Sequence, residues 1–269
     1  MNASAVEIRK TMLELKNLVL EVPVKEGSLE TKRIIDDLTL TIPDDTFTVI
    51  TGPNGGGKST LAKLIMGIEK PSSGAILLDG EDVTDLSISE RAQRGIGYGF
   101  QQPARFKGMK VKKLLEIAAG RKLPMLSCNE YLAKVGLCSA DWLTREVDKS
   151  LSGGEVKRIE IATMLARDPK VAIYDEPEAG IDLWSFDRLT ETFRQIHDAG
   201  NGRSIIIISH QERIIRLADE IVLIEDGKIT ATGTPDEIMP ELGLARKSMA
   251  GCRLTEPTRL HITEIPTTC

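Results

Sequence analysis

The sequence predicts an α/β fold: a core of parallel strands and covering helices, an antiparallel β region, and a helical subdomain inserted between the two halves of the core. Three patterns predict it. The short apolar runs Val171-Ala172-Ile173-Tyr174 and Ile205-Ile206-Ile207-Ile208 lack alternation, which suits central parallel strands covered on both faces. Two segments near the start, 12–18 and 38–42, alternate apolar and polar side chains as half-buried antiparallel strands do. From about 104 to 168 the pattern turns helical, broken by Gly and Pro.

Each element follows in order. Between the alternating strands, Val24 to Glu30 is a polar hairpin excursion, and Pro43-Asp44-Asp45 turns the chain into the strand-forming run Phe47–Thr51. A glycine-rich loop leads to a helical apolar stripe over 60–66. Residues 74–80 form a strand bounded by turn residues, and Ser87 with Glu90 three positions later is a capping-box helix start. Helices are expected over 111–119, with Val111, Leu114, Leu115 and Ala118 on one face, over 128–135 and over 153–167. Strands return at 171–174, 204–208 and 220–225, with a helix over 185–198. The divisions are a core of 1–103 and 169–240, a helical subdomain of 104–168 and a C-terminal extension of 241–269.

A chain of 269 residues buries enough surface to need no disulfide or metal staple. Net charge of −5 argues against nucleic acid or anionic lipid as the main partner, since both demand clustered positive charge. No apolar stretch has the length of a membrane span, so direct membrane insertion is not expected. The start lacks the basic and apolar regions of a secretory signal. Cysteines at 128, 138, 252 and 269 form no C-x-x-C pair, which fits a reducing, cytoplasmic location.

The chemistry is concentrated in a few motifs. Gly52-Pro53-Asn54-Gly55-Gly56-Gly57-Lys58-Ser59, followed by Thr60, completes the G-x-x-x-x-G-K-[ST] phosphate loop, and it stands between a strand and a helix as the chemistry requires. Glycines let backbone N–H groups curl around an anion, and the helix N-terminus adds unpaired donors. Lys58 reaches the β/γ-phosphates and Ser59 holds Mg²⁺ through its hydroxyl. Asp175 and Glu176 end a buried-strand pattern, which places one acid for Mg²⁺ and one for the attacking water. Ser152 and Glu155 fit a capping box, yet the intervening Gly153-Gly154 disfavours a helix by about 1 kcal/mol per residue and suits a second phosphate contact. His210 closes the isoleucine strand, where an imidazole can bond a phosphate or the attacking water. Gln101 sits where the first half hands over to the helical insertion, and its amide can contact Mg²⁺ or water. His197 and His261 have no comparable placement and are read as structural or solvent-facing.

Taken in order, 52–59, Gln101, 151–155, Asp175-Glu176, Ala179-Gly180-Ile181-Asp182 and His210 resemble the ATP-binding cassette (ABC) ATPase family over about residues 12–240. The resemblance implies a P-loop nucleotide-binding core of ABC ATPase type, an Mg-dependent ATPase with ATP and Mg²⁺ as cofactors, and a head-to-tail pairing. Each ATP then lies between one subunit's phosphate loop and the other's Ser152, Gly153 and Gly154. Carried over, Glu176 polarises water, His210 contacts the γ-phosphate, Gln101 links nucleotide state to a partner surface, and Asp182 belongs to the loop crossing the dimer interface. Residues 90–97, 100–108, 151–158 and 175–184 more narrowly resemble the Suf-type ATPase of iron–sulfur cluster assembly. That likeness implies a soluble Suf-type scaffold as partner and a transient ATP-dependent homodimer or paired subunits. The ATP-driving subunit of a membrane transporter shares every one of these motifs, and a nucleotide-gated module without hydrolysis is a third class. Two features depart from the pattern: Ala179 stands where most relatives have Ser, and 18–26 lacks an adenine-stacking aromatic, which implies modest selectivity for ATP over GTP. Arg105, Lys107, Lys110 and Lys112 are expected to rim the partner-docking groove, with Phe106 and Met109 as apolar anchors.

Overall fold

The computed structural model describes residues 11–24, 30–199, 202–240 and 242–243. The hairpin tip at 25–29, His261, and nearly all of the 241–269 extension with Cys252 and Cys269 lie outside the described residues.

The chain opens with two long antiparallel strands, β1 (Thr11–Pro23) and β2 (Thr31–Pro43), whose alternation buries Leu13, Leu15, Leu38 and Leu40. β3 (Phe47–Thr51) runs into the glycine loop and α1 (Lys58–Met66). β4 (Ser73–Leu78) and β5 (Glu81–Asp82) complete a first sheet of order β2-β1-β4-β5. α2 (Ile88–Gln93) starts at the expected Ser87–Glu90 capping box, followed by β6 (Ile96–Gly99). The helical section holds β7 (Phe106–Lys110), α3 (Val111–Ala118), α4 (Met125–Lys134), a 3₁₀ turn at Ala140–Thr144, β8 (Glu146–Val147) and α5 (Gly153–Arg167). β9 (Val171–Asp175), α6 (Leu183–Asp198), β10 (Ser204–Ile208), α7 (Glu212–Ile215), β11 (Glu220–Glu225), β12 (Lys228–Gly233) and α8 (Pro235–Ile238) follow.

The central sheet has the order β12-β11-β3-β10-β9-β6, parallel except for β12. Side chains of one strand point to opposite faces. Ile205 and Ile207 therefore join the apolar cluster that includes α5 and α6, while Ile206 and Ile208 join the cluster beneath α1 and the antiparallel sheet.

Several elements depart from the sequence expectation, each for a physical reason. β6 contains two glycines, which disfavour strands, but a Cβ on Gly97 would come within 2.8 Å of Met164 and Pro169, so close packing excludes a side chain. β7 and β8 pair across α3, α4 and the 3₁₀ turn, a contact too distant and short to show in local pattern. α6 begins two residues early because the Asp182 carboxylate accepts from the Ser185 N–H at 3.0 Å and caps the helix. β12 lies at the sheet edge, where exposed residues alternate with only partly buried ones and none is fully buried.

Arg91 is 1 % exposed and has no carboxylate partner among the described residues. Its guanidinium instead donates to the carbonyls of Leu64 (2.6 Å) and Ile65 (2.8 Å) at the C-terminal end of α1, and to those of Thr84 (2.6 Å) and Leu86 (3.2 Å). The helix dipole favours a cation there. Arg91 thus locks the helix that follows the phosphate loop to the turn before α2. Arg91→Ala is expected to destabilise the protein by about 3 kcal/mol or more, because several buried carbonyls lose their donor together. Arg91→Lys should recover little, since an ammonium lacks the planar fork. Urea denaturation midpoints check both.

Candidate active site

Parallel pairing brings three strand ends to one edge. Ile208 is in register with both Asp175 and Ile50, so β9, β10 and β3 finish level. The ladder extends one step further: Glu176 N–H donates to the Ile208 carbonyl at 3.0 Å and Ser209 N–H to the Ile50 carbonyl at 3.2 Å. Residues leaving these strands, Gly52, Glu176 and His210, consequently converge.

The loop itself needs its glycines for different reasons. Gly52 has φ of 134°, and a Cβ there would lie 2.1 Å from the Ile224 carbonyl oxygen. Gly57, at φ of 105°, is the N-cap of α1 and turns the loop's last N–H groups inward. Lys58 folds back into the loop and donates to the carbonyls of Gly52 (2.7 Å) and Pro53 (2.8 Å). Burial lowers its pKa, opposed by the negative charges of Glu176 and Asp175.

Asp175 is 1 % exposed and accepts from Ser59 Oγ (3.0 Å) and Tyr98 Oη (2.9 Å). Burial first, then the Asp175 charge, pushes the Tyr98 hydroxyl up, so it remains a proton donor. Ser59 Oγ and Asp175 Oδ1 are hard oxygens side by side at the mouth of the loop, a donor set that fits Mg²⁺ with retained waters. Glu176 takes a left-handed φ of 45°, a conformation that costs a non-glycine residue about 1 kcal/mol or more. This turn breaks the strand alternation that would otherwise send the second acid to the opposite face. Its carboxylate accepts from the Gln101 amide at 2.7 Å. Gln101 therefore meets Glu176 rather than the Ser59–Asp175 pair to which the sequence reading assigned it as a metal ligand.

An open cleft of about 410 Å³ is lined by residues that include Gly52, Pro53, Asn54, His210, Glu225 and Leu242. His210 is exposed, and its pKa is lowered by burial and by Lys58, against a raising influence from Glu176. The lowering favours the neutral imidazole. Gly55 is exposed in the loop, a Cβ on Gly56 would lie 2.8 Å from the Ile224 carbonyl oxygen, and Thr60 lies in the first turn of α1.

Ser152 and Gly153 are exposed and do not line this cleft. Ser152 caps α5, with Glu155 completing the capping box. The paired glycines separate in role. A Cβ on Gly154 would meet the Gly180 carbonyl oxygen at 2.4 Å, whereas a Cβ on Gly153 would meet nothing within 4 Å. Tyr98, Lys157 and Glu178 escape sequence reasoning, because Tyr98 falls in an unread strand and the charged pair reads as helix or turn surface. His197 lies near the strand starts, with Nε2 3.3 Å from Asp219 and its ring edge-on to Phe47, consistent with a structural reading. Cys128 is buried and Cys138 exposed, both free.

A phosphate loop closed by two strand-end acids and an imidazole, on a mixed sheet with an inserted helical section, defines a nucleotide-hydrolysing cassette. A family model described as ABC transporter matches residues 35–179. An uncharacterised ABC transporter ATP-binding protein, MJ0035 of Methanocaldococcus jannaschii, is 40 % identical over 215 residues, covering 77 % of this chain and 85 % of the relative. The sulfate/thiosulfate import ATP-binding protein CysA of Synechocystis is 35 % identical over 208 residues, and the alignment spans 76 % of this chain and 57 % of that protein's length. The lipopolysaccharide export system ATP-binding protein LptB of Haemophilus influenzae is 32 % identical over 216 residues, covering 79 % and 89 %. The dimeric structure of MJ0796, a bacterial ABC transporter cassette, has a TM-score of 0.74 at 23 % identity and covers 83 % of this chain and 99 % of that one, a likeness of fold. The chain belongs to the ABC transporter ATP-binding family and is an ATP-hydrolysing enzyme. The narrower Suf-type likeness gains no support from these relatives, which carry transporter names.

Lys58→Ala is expected to keep the fold and abolish ATP hydrolysis, since the loop loses its only side-chain cation. Phosphate release, measured beside circular dichroism of the same sample, checks this.

Proposed function

We propose that the chain is the ATP-hydrolysing subunit of a membrane transport assembly, working as a pair across composite ATP sites. The observation that carries the composite site is the separation just described: Gly153 projects into open space away from the cleft, although nothing in the chain's own packing requires a glycine there. In this reading the loop amides and Lys58 hold the β/γ-phosphates, and Ser59 with Asp175 holds Mg²⁺, which supplies charge neutralisation on the phosphates. Glu176 orients the attacking water, His210 contacts the γ-phosphate, and Ser152 to Gly154 contact the ATP held by the second copy. Gln101, bonded to Glu176, reports the state of the site to the surface beside it. ATP favours closure of the pair and hydrolysis permits opening.

The partner surface we infer is a groove of about 230 Å³ whose lining includes Tyr98, Phe100, Phe106, Leu114, Val156 and Glu160. Phe100 and Phe106 are 44 % and 43 % exposed, as docking anchors require. The basic rim is smaller than expected from sequence. Arg105 donates to the carbonyls of Asp148 and Leu151, positioning the loop before α5, and Lys112 lies 4.0 Å from Glu116, whereas Lys107 and Lys110 are exposed. Met109 is absent from the groove lining, which leaves Phe106 as the anchor of the expected two.

Among the described residues no helix is long and apolar enough to cross a membrane, and in this reading a permease docks on this groove. The transporter names of the relatives favour that partner. A Suf-type scaffold is the second reading, favoured by the stretches 90–97, 100–108 and 175–184.

Glu176→Gln, which preserves shape but not the base, should accumulate an Mg-ATP-bound dimer, seen as a doubling of mass by light scattering. Unchanged mass, with either partner present, would sink the composite site. For docking, Phe106→Ala should weaken partner capture by about 2 kcal/mol, against a smaller and salt-dependent effect of Lys107→Ala. Reconstitution with a permease in proteoliposomes and with a soluble scaffold separates the two readings by which one stimulates hydrolysis.

A further inference from the structure

Glu178 has no part in the ATP chemistry set out above, yet it is a largely buried acid two residues from Glu176. Its Oε1 accepts from the Ser209 hydroxyl at 2.6 Å, and burial raises the carboxyl pKa against the lowering influence of that hydroxyl and of the nearby His210 backbone N–H. Oε2 is buried with no partner among the described residues. Ser209, itself fully buried, uses the same hydroxyl oxygen to accept from the Gln211 N–H at 3.0 Å. One carboxyl group therefore organises the whole turn on which His210 stands.

Glu178 also begins the loop on the other side. Its carbonyl accepts from the Ile181 N–H at 3.1 Å, closing the turn that contains Ala179 and Gly180. The Gly180 carbonyl is the group packed against Gly154, at the N-terminus of α5. A continuous line of contacts runs from Gly154 through Gly180 and Glu178 to Ser209 and His210.

We propose that Glu178 is a positioning residue for ATP hydrolysis, fixing the His210 turn to the loop 179–182 so that the seat of that loop against α5 and the aim of the imidazole move together. The inference rests on the composite-site reading. In that reading Ser152 to Gly154 serve the neighbour's ATP while His210 serves the chain's own. Glu178 then lies on the path through which one copy senses both nucleotides, and hydrolysis by the pair depends sigmoidally on ATP.

The test uses the full chain with Mg-ATP and compares Glu178→Ala, Ser209→Ala, the double variant and Glu178→Gln. Each single alanine is expected to lower kcat roughly tenfold with KM within about twofold, since phosphate binding by the loop is intact while the imidazole is misaimed. The double variant should be no slower than the worse single, because the two residues share one contact. Glu178→Gln should recover most of the rate and the sigmoidal ATP dependence, as its amide oxygen still accepts. Wild-type kcat in Glu178→Ala, additive losses in the double variant, or an equal loss in Glu178→Gln would overturn the proposal. Ser209→Ala removes only a hydroxyl, so it reads the contact even if Glu178→Ala folds poorly. A Glu176→Gln protein that remains monomeric with Mg-ATP overturns the composite site and the link between nucleotides with it. A dimer alongside an unaffected Glu178→Ala overturns the role of Glu178 alone.

Discussion

The register of three parallel strands is the constraint on which the rest of the molecule depends. Ile207 lies opposite Val49 and Tyr174, and Ile208 opposite Ile50 and Asp175. A slip of one residue would move the acids by about 3.3 Å and turn every isoleucine of β10 to the wrong face. All fifteen residues of β3, β9 and β10 are buried, so such a slip meets apolar opposition along its whole length. The catalytic edge thus inherits its precision from packing. The polar contacts, Ser59 to Asp175 and Gln101 to Glu176, act on side chains already delivered to within reach.

Beneath the groove lined by Phe100 and Phe106 the structure holds a second kind of constraint. Lys157 on α5 is 1 % exposed and donates to the carbonyls of Phe100 and Asp175, with Glu160 3.5 Å away. Burial lowers the lysine's pKa and raises that of Glu160, and each charge opposes the shift of the other. Desolvating such a pair is expensive and yields little net stability. What it does accomplish is geometric: the carbonyl just before Gln101 and the Asp175 carbonyl share one ammonium. Groove floor and strand end are thereby joined through the helix that begins with Ser152.

The parts legible in the sequence are those in which chemistry demands consecutive residues. The phosphate loop needs its glycines and Lys58-Ser59 in a row, and the acid pair must sit where an apolar run stops, so both stand out by spacing alone. The unalternating runs at 171–174 and 204–208 likewise announce central strands. What stayed hidden depends on tertiary contact. Arg91, Lys157 and Glu178 carry charges that local pattern assigns to solvent, and only packing against remote carbonyls or hydroxyls shows them buried. β6 was obscured by glycines whose missing side chains make room for Met164 and Pro169. Arg105 looked like part of a free basic rim, until the structure placed it on carbonyls more than forty residues away.

The isoleucine run of β10 has a consequence for how the chain reaches this state. Ser204 to Ile208 is uncharged, β-branched and free of proline, the composition that stacks readily between chains when left uncovered. In the native sheet β3 and β9 occupy both of its edges, and helices cover both faces. Its β3 partner lies more than 150 residues away in the chain, so this protection comes from contacts that close slowly. Until β3 and β9 have paired with it the segment is open to self-association, so dilution or a chaperone that shields extended apolar strands is expected to raise the yield of folded protein.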